Sequence, residues 1–486
     1  YSPRVIDIFK KNPDMWILLG CYGVSIFYGF IVLKLVEGEA VSQGAIWTLG
    51  SVTISFEFCV SLAYWLGAFT FVALFPYMLD VIRLLKPESI IKRLAVEITK
   101  DKILNSKEDP IQPIVDIIHG SIMKYDIVTT RIGLGAVTEQ VIEIIDSDGE
   151  EKISECFRGH LTRASRLAIS REDEESTAEV IKSLETFGKS AADKNLEYTT
   201  RKIIKSIELI GKITAKKAED FDWVTWQAVE SLNLVEKVAI GKGEKFENTT
   251  AETALSIGRV GIAAAENERE WPTDWAVLSL EDIGENAMKC GLARATNRAV
   301  FSLGIVVMTA TRKGMTLGSI TSQAKTIEFI EDVGKTAIDK GTEFKSVVKQ
   351  AAESIEWIGT TAVERGKEFK SVAERAAVSI EEVGISAAEK GGEFEDATIQ
   401  AVESLKLLGK IAAKNELEEA VCKTLESLAQ IGRITAEKGL ENVASQIAWS
   451  LINVGEIAAE KRLDAATSET AKSLAELTIL SEEAVK

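Results

Sequence analysis

Histidine is the scarcest reactive residue, because the 486-residue chain has only His119 and His160. So few imidazoles leave little material for a histidine-rich metal site or for a Ser-His-Asp catalytic triad. Basic residues are fewer than acidic ones: the chain has 57 Lys and Arg and 74 Asp and Glu, which gives a net charge of −17. A protein that binds nucleic acid needs a basic surface, so this balance argues against such a partner.

The cysteines are few and scattered. None of the five forms a C-x-x-C pair, so the sequence supports neither a zinc cluster nor a redox motif. We interpret all of them as reduced, small core residues in a cytoplasmic setting. They are Cys21, Cys59, Cys156, Cys290 and Cys422. With both histidines interpreted as structural, no nucleophile, base and oxyanion donor come together, so we expect no catalytic residues, no metal, no cofactor and no enzyme.

Proline is rare as well, at 7 residues, whereas helix-forming residues are abundant and 46% of the chain is hydrophobic. This composition predicts an all-α protein. The mean hydropathy of +0.07 is that of an ordinary soluble protein, but it averages two different regions. Residues 1–100 contain two long apolar stretches and carry a net charge of +1, so residues 101–486 carry −18.

The two apolar stretches are long enough to cross a bilayer. The first runs from Met15 to Val36 with Lys34 as its one charge, and about 20 apolar residues at 1.5 Å each cross the hydrocarbon core. The second occupies 46–85, with its hydrocarbon core placed at 58–79. We interpret residues 1–100 as a transmembrane helical hairpin with spans at about 15–36 and 46–85. A buried helical hairpin in a soluble protein is the alternative.

The flanking charges predict the orientation of these spans. Lys and Arg precede the first span and follow the second, whereas the connection between them has Glu37 and Glu39 and no basic residue. Because positive residues favour the cytoplasmic side, both ends are expected inside and the short connection outside. The protein is therefore expected in the cell membrane, with everything after the second span in the cytoplasm.

The N-terminal part resembles a known family. Tyr1-Ser2-Pro3-Arg4 is followed by a short polar segment, a glycine-rich span over 20–36 and a long second span, and Asp109-Pro110 precedes a further helical stretch. This order is similar to that of the archaeal and bacterial predicted membrane proteins grouped as domain of unknown function 2254, over about residues 1–140. The resemblance implies an earlier pair of spans upstream of Tyr1, and it assigns no catalytic residue.

A helical linker domain is expected over 101–175, and residues 176–486 repeat themselves. Copies such as EFKSVVKQAAESIEWIGTTAVERG and EFKSVAERAAVSIEEVGISAAEKG align on a central residue that we call the anchor, and successive anchors lie 23 to 27 residues apart, mostly 23 or 25. About thirteen units with so regular a period predict an α-helical solenoid. The anchors are Gly188, Gly211, Glu236, Gly261, Gly284, Val307, Gly334, Gly359, Gly384, Gly409, Gly432, Gly455 and Thr478.

Each unit is predicted to form one helix of about 20 residues, roughly 30 Å long. An apolar stripe runs through the unit without proline, and a glycine seven residues after the anchor, such as Gly366 or Gly391, suits the left-handed residue that ends a helix. Short turns then make neighbouring helices antiparallel. Glycine inside a helix costs about 1 kcal/mol relative to alanine. We expect that the anchor is glycine because neighbouring helices pack closely there. The alternative is that the glycine breaks each unit into two shorter helices.

Polar residues of the second span are the candidates to line an ion pathway. Glu57 lies at or just inside the outer end, and an ionisable group at membrane depth normally faces a bundle interior or water. One Glu57 from each copy of a symmetric oligomer would form a carboxylate ring that selects cations, and a glutamate in headgroup water is the alternative. The pore-lining candidates are Ser51, Thr53, Ser55, Glu57, Ser61 and Gly67, and those at the inner mouth are Asp80 and Arg83.

Two spans are too few to enclose a pathway within one chain, so a pore requires several copies. We therefore predict a homo-oligomeric membrane ion channel, conducting cations, whose cytoplasmic repeat domain serves assembly or gating. Its partners are the lipid bilayer, further copies of itself and inorganic cations. The alternative is a membrane-tethered scaffold whose solenoid surface binds protein partners without conducting ions. The acidity of the array is interpreted as a solvated surface, with an acidic vestibule near a pore as the alternative.

Overall fold

A computed structural model of the chain describes residues 13–37, 47–49, 52–315, 317 and 323–484. The chain divides into two compact units, residues 1–141 and 142–486. Both are built from α-helices, and among the described residues one short β-hairpin is the exception. The prediction of an all-α fold with a helical repeat array is thereby confirmed in its main part.

The first unit begins with its longest helices, α1 (Pro13–Glu37) and α2 (Phe56–Leu85). Between them, strand β1 (Trp47–Leu49) pairs antiparallel with strand β2 (Val52–Ile54). The stretch over 46–85, which was predicted as one span, is therefore helical only from Phe56 onward. The reason is local, because β2 consists of three consecutive β-branched residues, which fit a strand better than a helix.

Shorter helices complete the first unit. They bury apolar side chains between them, and α5 and α6 approach each other at Gly133, where an added Cβ would lie 2.6 Å from Ile118 Cγ1. The hydroxyls of Ser121 and Thr130 form a buried hydrogen bond of 2.7 Å across the same contact. These helices are α3 (Pro87–Val96), α4 (Lys100–Asn105), α5 (Gln112–Ile122) and α6 (Ile127–Ile144), the last of which crosses the boundary at residue 141.

The second unit begins with α7 (Glu150–Ser170) and continues with one helix for each predicted repeat. Each of the thirteen repeat helices is uninterrupted and has 18 to 21 residues, so the alternative of two shorter helices in a unit is wrong. They are α8 (Glu174–Asp193), α9 (Glu197–Thr214), α10 (Asp222–Ile240), α11 (Glu247–Glu266), α12 (Glu270–Lys289), α13 (Ala293–Arg312), α14 (Gln323–Lys340), α15 (Lys345–Arg365), α16 (Lys370–Glu389), α17 (Glu395–Lys414), α18 (Glu418–Glu437), α19 (Glu441–Glu460) and α20 (Asp464–Ala484).

The two common repeat lengths correspond to two kinds of turn. Where anchors are 23 residues apart, the helix ends in a Schellman motif: Gly291 has φ +75°, and Leu292 N donates to Ala287 O at 2.9 Å. Where they are 25 apart, the two extra residues form a 3₁₀ turn that ends in a buried phenylalanine. These phenylalanines are Phe221, Phe246, Phe344, Phe369 and Phe394.

Each repeat helix packs against the next helix and the one after it. A Cβ added to Gly359 in α15 would lie 2.6 Å from Ala376 Cβ in α16 and 3.3 Å from Leu408 Cδ1 in α17. Successive helices are antiparallel and alternate helices are parallel, so the array has two layers. At nine of the ten glycine anchors an added Cβ would lie within 3.1 Å of a side chain on a neighbouring helix, so the prediction that anchor glycines allow close packing is confirmed. Gly284 has the most room of these glycines, with the nearest atom at 3.5 Å.

Candidate functional site

Helices α1 and α2 leave their apolar side chains outside the fold. Their windows Trp16–Leu35 and Glu57–Phe75 are long and apolar enough to cross a membrane by length and composition, and only 6% of each is buried. Tyr64 is 78% exposed and Phe69 is 64% exposed. These helices therefore differ from the core helices of a soluble fold, which satisfy the same length and composition but are mostly buried.

The contact between α1 and α2 is limited. Among the described side chains of these helices, only Val32 and Thr70 are buried, and the Thr70 hydroxyl donates to the carbonyls of its own helix. A hydrogen bond joins the pair, from Tyr28 Oη to the carbonyl oxygen of Cys59 at 3.2 Å. Most of the apolar surface of the two helices thus has no partner among the described side chains of the unit.

A polar face runs along the first turns of α2. Glu57, Ser61 and Tyr64 follow one another at i, i+4 and i+7 on one side of the helix, and together with Val60 they border a shallow, open depression of its surface. Ser55 precedes this face and caps the helix, because its Oγ accepts a hydrogen bond from Phe58 N at 3.2 Å. Of the predicted pore-lining residues, Glu57 and Ser61 are thus brought together, whereas Ser55 has a structural role.

The remaining predicted site residues are more scattered. Gly67 is exposed on α2, with no atom within 4 Å of an added Cβ. Thr53 lies in strand β2, and Ser51 lies outside the described residues. Asp80 and Arg83 belong to the last turns of α2, but their side chains are also outside the described part. Their roles in a pore therefore stay predictions.

A polar ladder inside the array was missed in the sequence. Serine stands five residues before the anchor in twelve of the thirteen units, and glutamate often stands three before it. The serine of one helix donates to the glutamate two helices earlier, as Ser379 Oγ does to Glu331 Oε2 at 2.7 Å. The other such pairs are Ser231–Glu185, Ser256–Glu208, Ser404–Glu356 and Ser427–Glu381. The repeat alignment contained this signal, but only the contacts between alternate helices give it meaning.

Glu236 interrupts the series of small anchors. It is fully buried in α10, and neither carboxylate oxygen has a hydrogen-bond partner among the described residues. Burial, with a smaller contribution from Asp282, raises the pKa of Glu236 to about 8, against the opposing effect of Lys237. The carboxyl is therefore mostly protonated at neutral pH. The nearby ladder position Asn233 also has an unpartnered buried oxygen.

A few residues with reactive side chains lie outside these regions. No disulfide joins the five cysteines. His160 is buried, and its Nδ1 lies 2.8 Å from Arg163 Nη2. Burial and neighbouring carboxylates raise the pKa of the Cys422 thiol, which lowers its reactivity.

No family model and no curated protein matches the chain. One similar solved structure is described as "Circular tandem repeat protein with novel repeat topology and enhanced subunit contact surfaces"; it is 14% identical, and the match covers 82% of this chain and 97% of that one with a TM-score of 0.42. Another, a mutant of Kap121p, is 13% identical, and the match covers 84% of this chain and 43% of that one with a TM-score of 0.30. Both scores are below 0.5, so the repeat fold is established by the helices of the chain itself.

Proposed function

We propose that the protein is an integral protein of the cell membrane. Helices α1 and α2 would cross the bilayer as a hairpin with both ends inside, and the repeat array would lie in the cytoplasm. The support is the large exposed apolar surface of the two helices, together with the basic residues that flank them. Membership of residues 1–140 in the family called domain of unknown function 2254 agrees with this topology and is part of the proposal.

We further propose that the protein forms a homo-oligomeric channel for cations. The observation that carries this proposal is the polar face of Glu57, Ser61 and Tyr64 on a helix whose surface is otherwise apolar and exposed. A carboxylate facing lipid is costly, so this face is expected to lie against water or another copy. Two helices cannot enclose a pathway, whereas several copies around an axis would place a ring of Glu57 carboxylates at one end of it.

The test has two parts. The mass of the protein in detergent should be that of an oligomer, and particle images should show it to be symmetric with α2 next to its axis. The reconstituted protein should conduct cations in preference to anions. Glu57→Gln should lower that preference, whereas the matched variant Glu88→Gln should not, because Glu88 lies beyond the span and is paired with Lys92. Absence of current at every voltage, pH and membrane tension contradicts the channel. Unchanged selectivity in Glu57→Gln removes Glu57 from the filter.

A membrane-tethered scaffold is the second candidate function, and exposed apolar residues on the array favour it. Trp271, Leu407 and Trp449 are all exposed on repeat helices, and solenoids commonly present such residues to protein partners. A monomer in detergent without conductance, together with a defined partner whose binding is lost in Trp449→Ser, would support this function over the channel. An oligomer that conducts ions equally well in Trp449→Ser would argue against it.

A further inference from the structure

The turn between α5 and α6 exposes three large apolar side chains within six residues. Met123 is 48% exposed, Tyr125 is 57% exposed and Val128 is 63% exposed. Single exposed apolar residues are ordinary on a protein surface, but a cluster of this kind indicates an interaction site. We call residues 123–128 the interface turn.

The backbone of the interface turn is strained at its aromatic residue, Tyr125. Tyr125 has φ +56°, and the turn closes as a Schellman motif in which Asp126 N donates to Ser121 O at 2.9 Å. This left-handed position favours glycine or asparagine, and a bulky residue there is unusual. Among the described residues with positive φ, Tyr125 is the one aromatic; the others are glycine, asparagine, glutamate or arginine. A strained and exposed tyrosine points to a role outside the fold itself.

The interface turn lies beside the end of α2. A cavity of about 400 Å³ is bordered by Pro87 and Ile90 on one side and by Gly120, Ser121 and Lys124 on the other. Pro87 follows the last residue of α2 by only two positions. If α2 crosses the bilayer as proposed above, the interface turn is therefore close to the point at which the chain leaves the cytoplasmic leaflet.

The basic and aromatic side chains at the interface turn are of the kinds that contact phospholipid headgroups. Lys124 and Arg131 are exposed beside the apolar residues, and lysine, arginine and tyrosine are the residues that anchor proteins at headgroups. Two acids line the same cavity: Asp116 is hydrogen-bonded within α5, and Asp126 accepts a hydrogen bond from Thr129 N at 3.1 Å and caps the start of α6. Hydrogen bonds from the Thr129 hydroxyl and, to a smaller extent, from the Thr129 backbone N–H hold the pKa of Asp126 below its usual value, so Asp126 stays ionised as a helix cap.

We propose that the interface turn inserts Met123, Tyr125 and Val128 into the headgroup layer of the cytoplasmic leaflet. The partner is the phospholipid bilayer, and the contact would hold the helices that follow α2 against the membrane. The inference rests on the proposed membrane hairpin, because it uses the position of α2. It does not depend on whether the protein conducts ions.

Site-specific photocrosslinking in proteoliposomes tests this contact in the full chain. A benzophenone amino acid replaces Val128, or Phe69 of α2 as the positive control, or Trp449 of the array as an equally exposed negative control. After illumination, mass spectrometry detects a covalent phospholipid adduct. We expect adducts at positions 128 and 69 and none above background at position 449.

The outcomes separate this inference from the proposed function. Lipid adducts at position 69 but not at 128 overturn the interface turn and leave the hairpin intact, and so does an adduct to another protein at 128. Absence of lipid at both positions contradicts the hairpin itself. A second variant, Tyr125→Asn, suits the left-handed backbone and should fold, and it should reduce lipid capture at 128. Full capture in Tyr125→Asn overturns the role of the tyrosine ring.

Discussion

The repeat array and the helix pair α1 and α2 place large apolar side chains in opposite environments. In the array, Leu408 of α17 lies against the anchor Gly359 two helices earlier, and Val260 lies in the same way against Gly211. In the first unit, Tyr64 and Phe69 are on a helix at least as apolar but remain exposed. An apolar helix is buried by its own chain only when the sequence supplies a complementary neighbour, and repetition supplies one at fixed intervals.

This difference also concerns stability. An isolated helix of about 20 residues is marginally stable in water, so each array helix depends on its neighbours, and the stability of the array is close to a sum over adjacent repeats. Helices α1 and α2 have one limited contact with each other, so a lipid environment is the proposed source of their stability. Substitutions in the array should therefore change the free energy of unfolding of the array, whereas matched substitutions in α2 should not.

The largest effect is expected for a buried phenylalanine of a 25-residue repeat. Phe344→Ala should lower the free energy of unfolding of the array by about 3–5 kcal/mol, because it leaves a cavity at a turn where the side chain is almost completely buried. Phe69→Ala in α2 is the matched control and should leave denaturant unfolding of the array unchanged in detergent. Equal losses in both variants would contradict the contrast between the two units.

The next largest effect is a dependence of the stability of the array on pH, caused by Glu236. Burial raises its pKa from 4.5 to about 8, so the folded state binds the proton more tightly than the unfolded state. Stability should therefore fall as pH rises from about 4.5 to about 8, by at most about 1.4 kcal/mol per pH unit. Denaturant unfolding across this range measures the slope. Glu236→Gln should flatten it, and a slope that persists in Glu236→Gln would show that other groups cause it.

A smaller effect on stability is expected at the anchors. Two alanine substitutions there should change the free energy of unfolding in opposite directions. Gly359→Ala should destabilise the array by about 1–3 kcal/mol, because its Cβ would lie 2.6 Å from Ala376 Cβ. Gly284→Ala has room at 3.5 Å and should stabilise the array by up to about 1 kcal/mol through helix propensity. Gly67→Ala in α2 should leave array unfolding unchanged. Destabilisation of equal size at Gly359 and Gly284 would argue against close packing as the cause.

The smallest effect concerns the serine–glutamate ladder. Ser379→Ala removes the hydrogen bond to Glu331, which keeps its contacts with Arg375 and Lys335, so we expect a loss of about 1 kcal/mol. Ser302→Ala is the matched control, because the corresponding position two helices earlier is Gly258, which has no acceptor side chain. It should change unfolding by less than about 0.5 kcal/mol. A similar loss in both variants would show that the ladder contributes nothing specific.

Several features of the fold could be predicted because they depend on local order along the chain. The period of the repeat, the one helix in each unit and the left-handed glycines after helices all follow from spacing and from backbone preference, as at Gly366 and Gly391. The difference between 23 and 25 residues was visible in the sequence but unexplained. It became meaningful only when the added residues were seen to form a 3₁₀ turn around phenylalanines such as Phe394.

Other features were not predicted from the sequence, most of them because they depend on contacts between residues far apart. The strand pairing of Trp47 with Ile54 replaced a helical prediction, because a local run of β-branched residues outweighed the long apolar pattern. The ladder joins residues about 48 positions apart, as in Ser404 and Glu356. The unusual protonation of Glu236 results from complete burial between helices, which no pattern along one helix can report.

By itself, the sequence determined for the array which segments form helices, where they end and how many repeats there are, since these depend on spacing and backbone preference within about 25 residues. Tertiary structure decided which face of each helix is buried. That choice depends on what stands one and two helices away: for Gly359 it is Ala376 and Leu408, and for the face that contains Glu57 it is nothing in the described part of the first unit. Burial is a property of pairs of elements, and only the folded chain brings those pairs together.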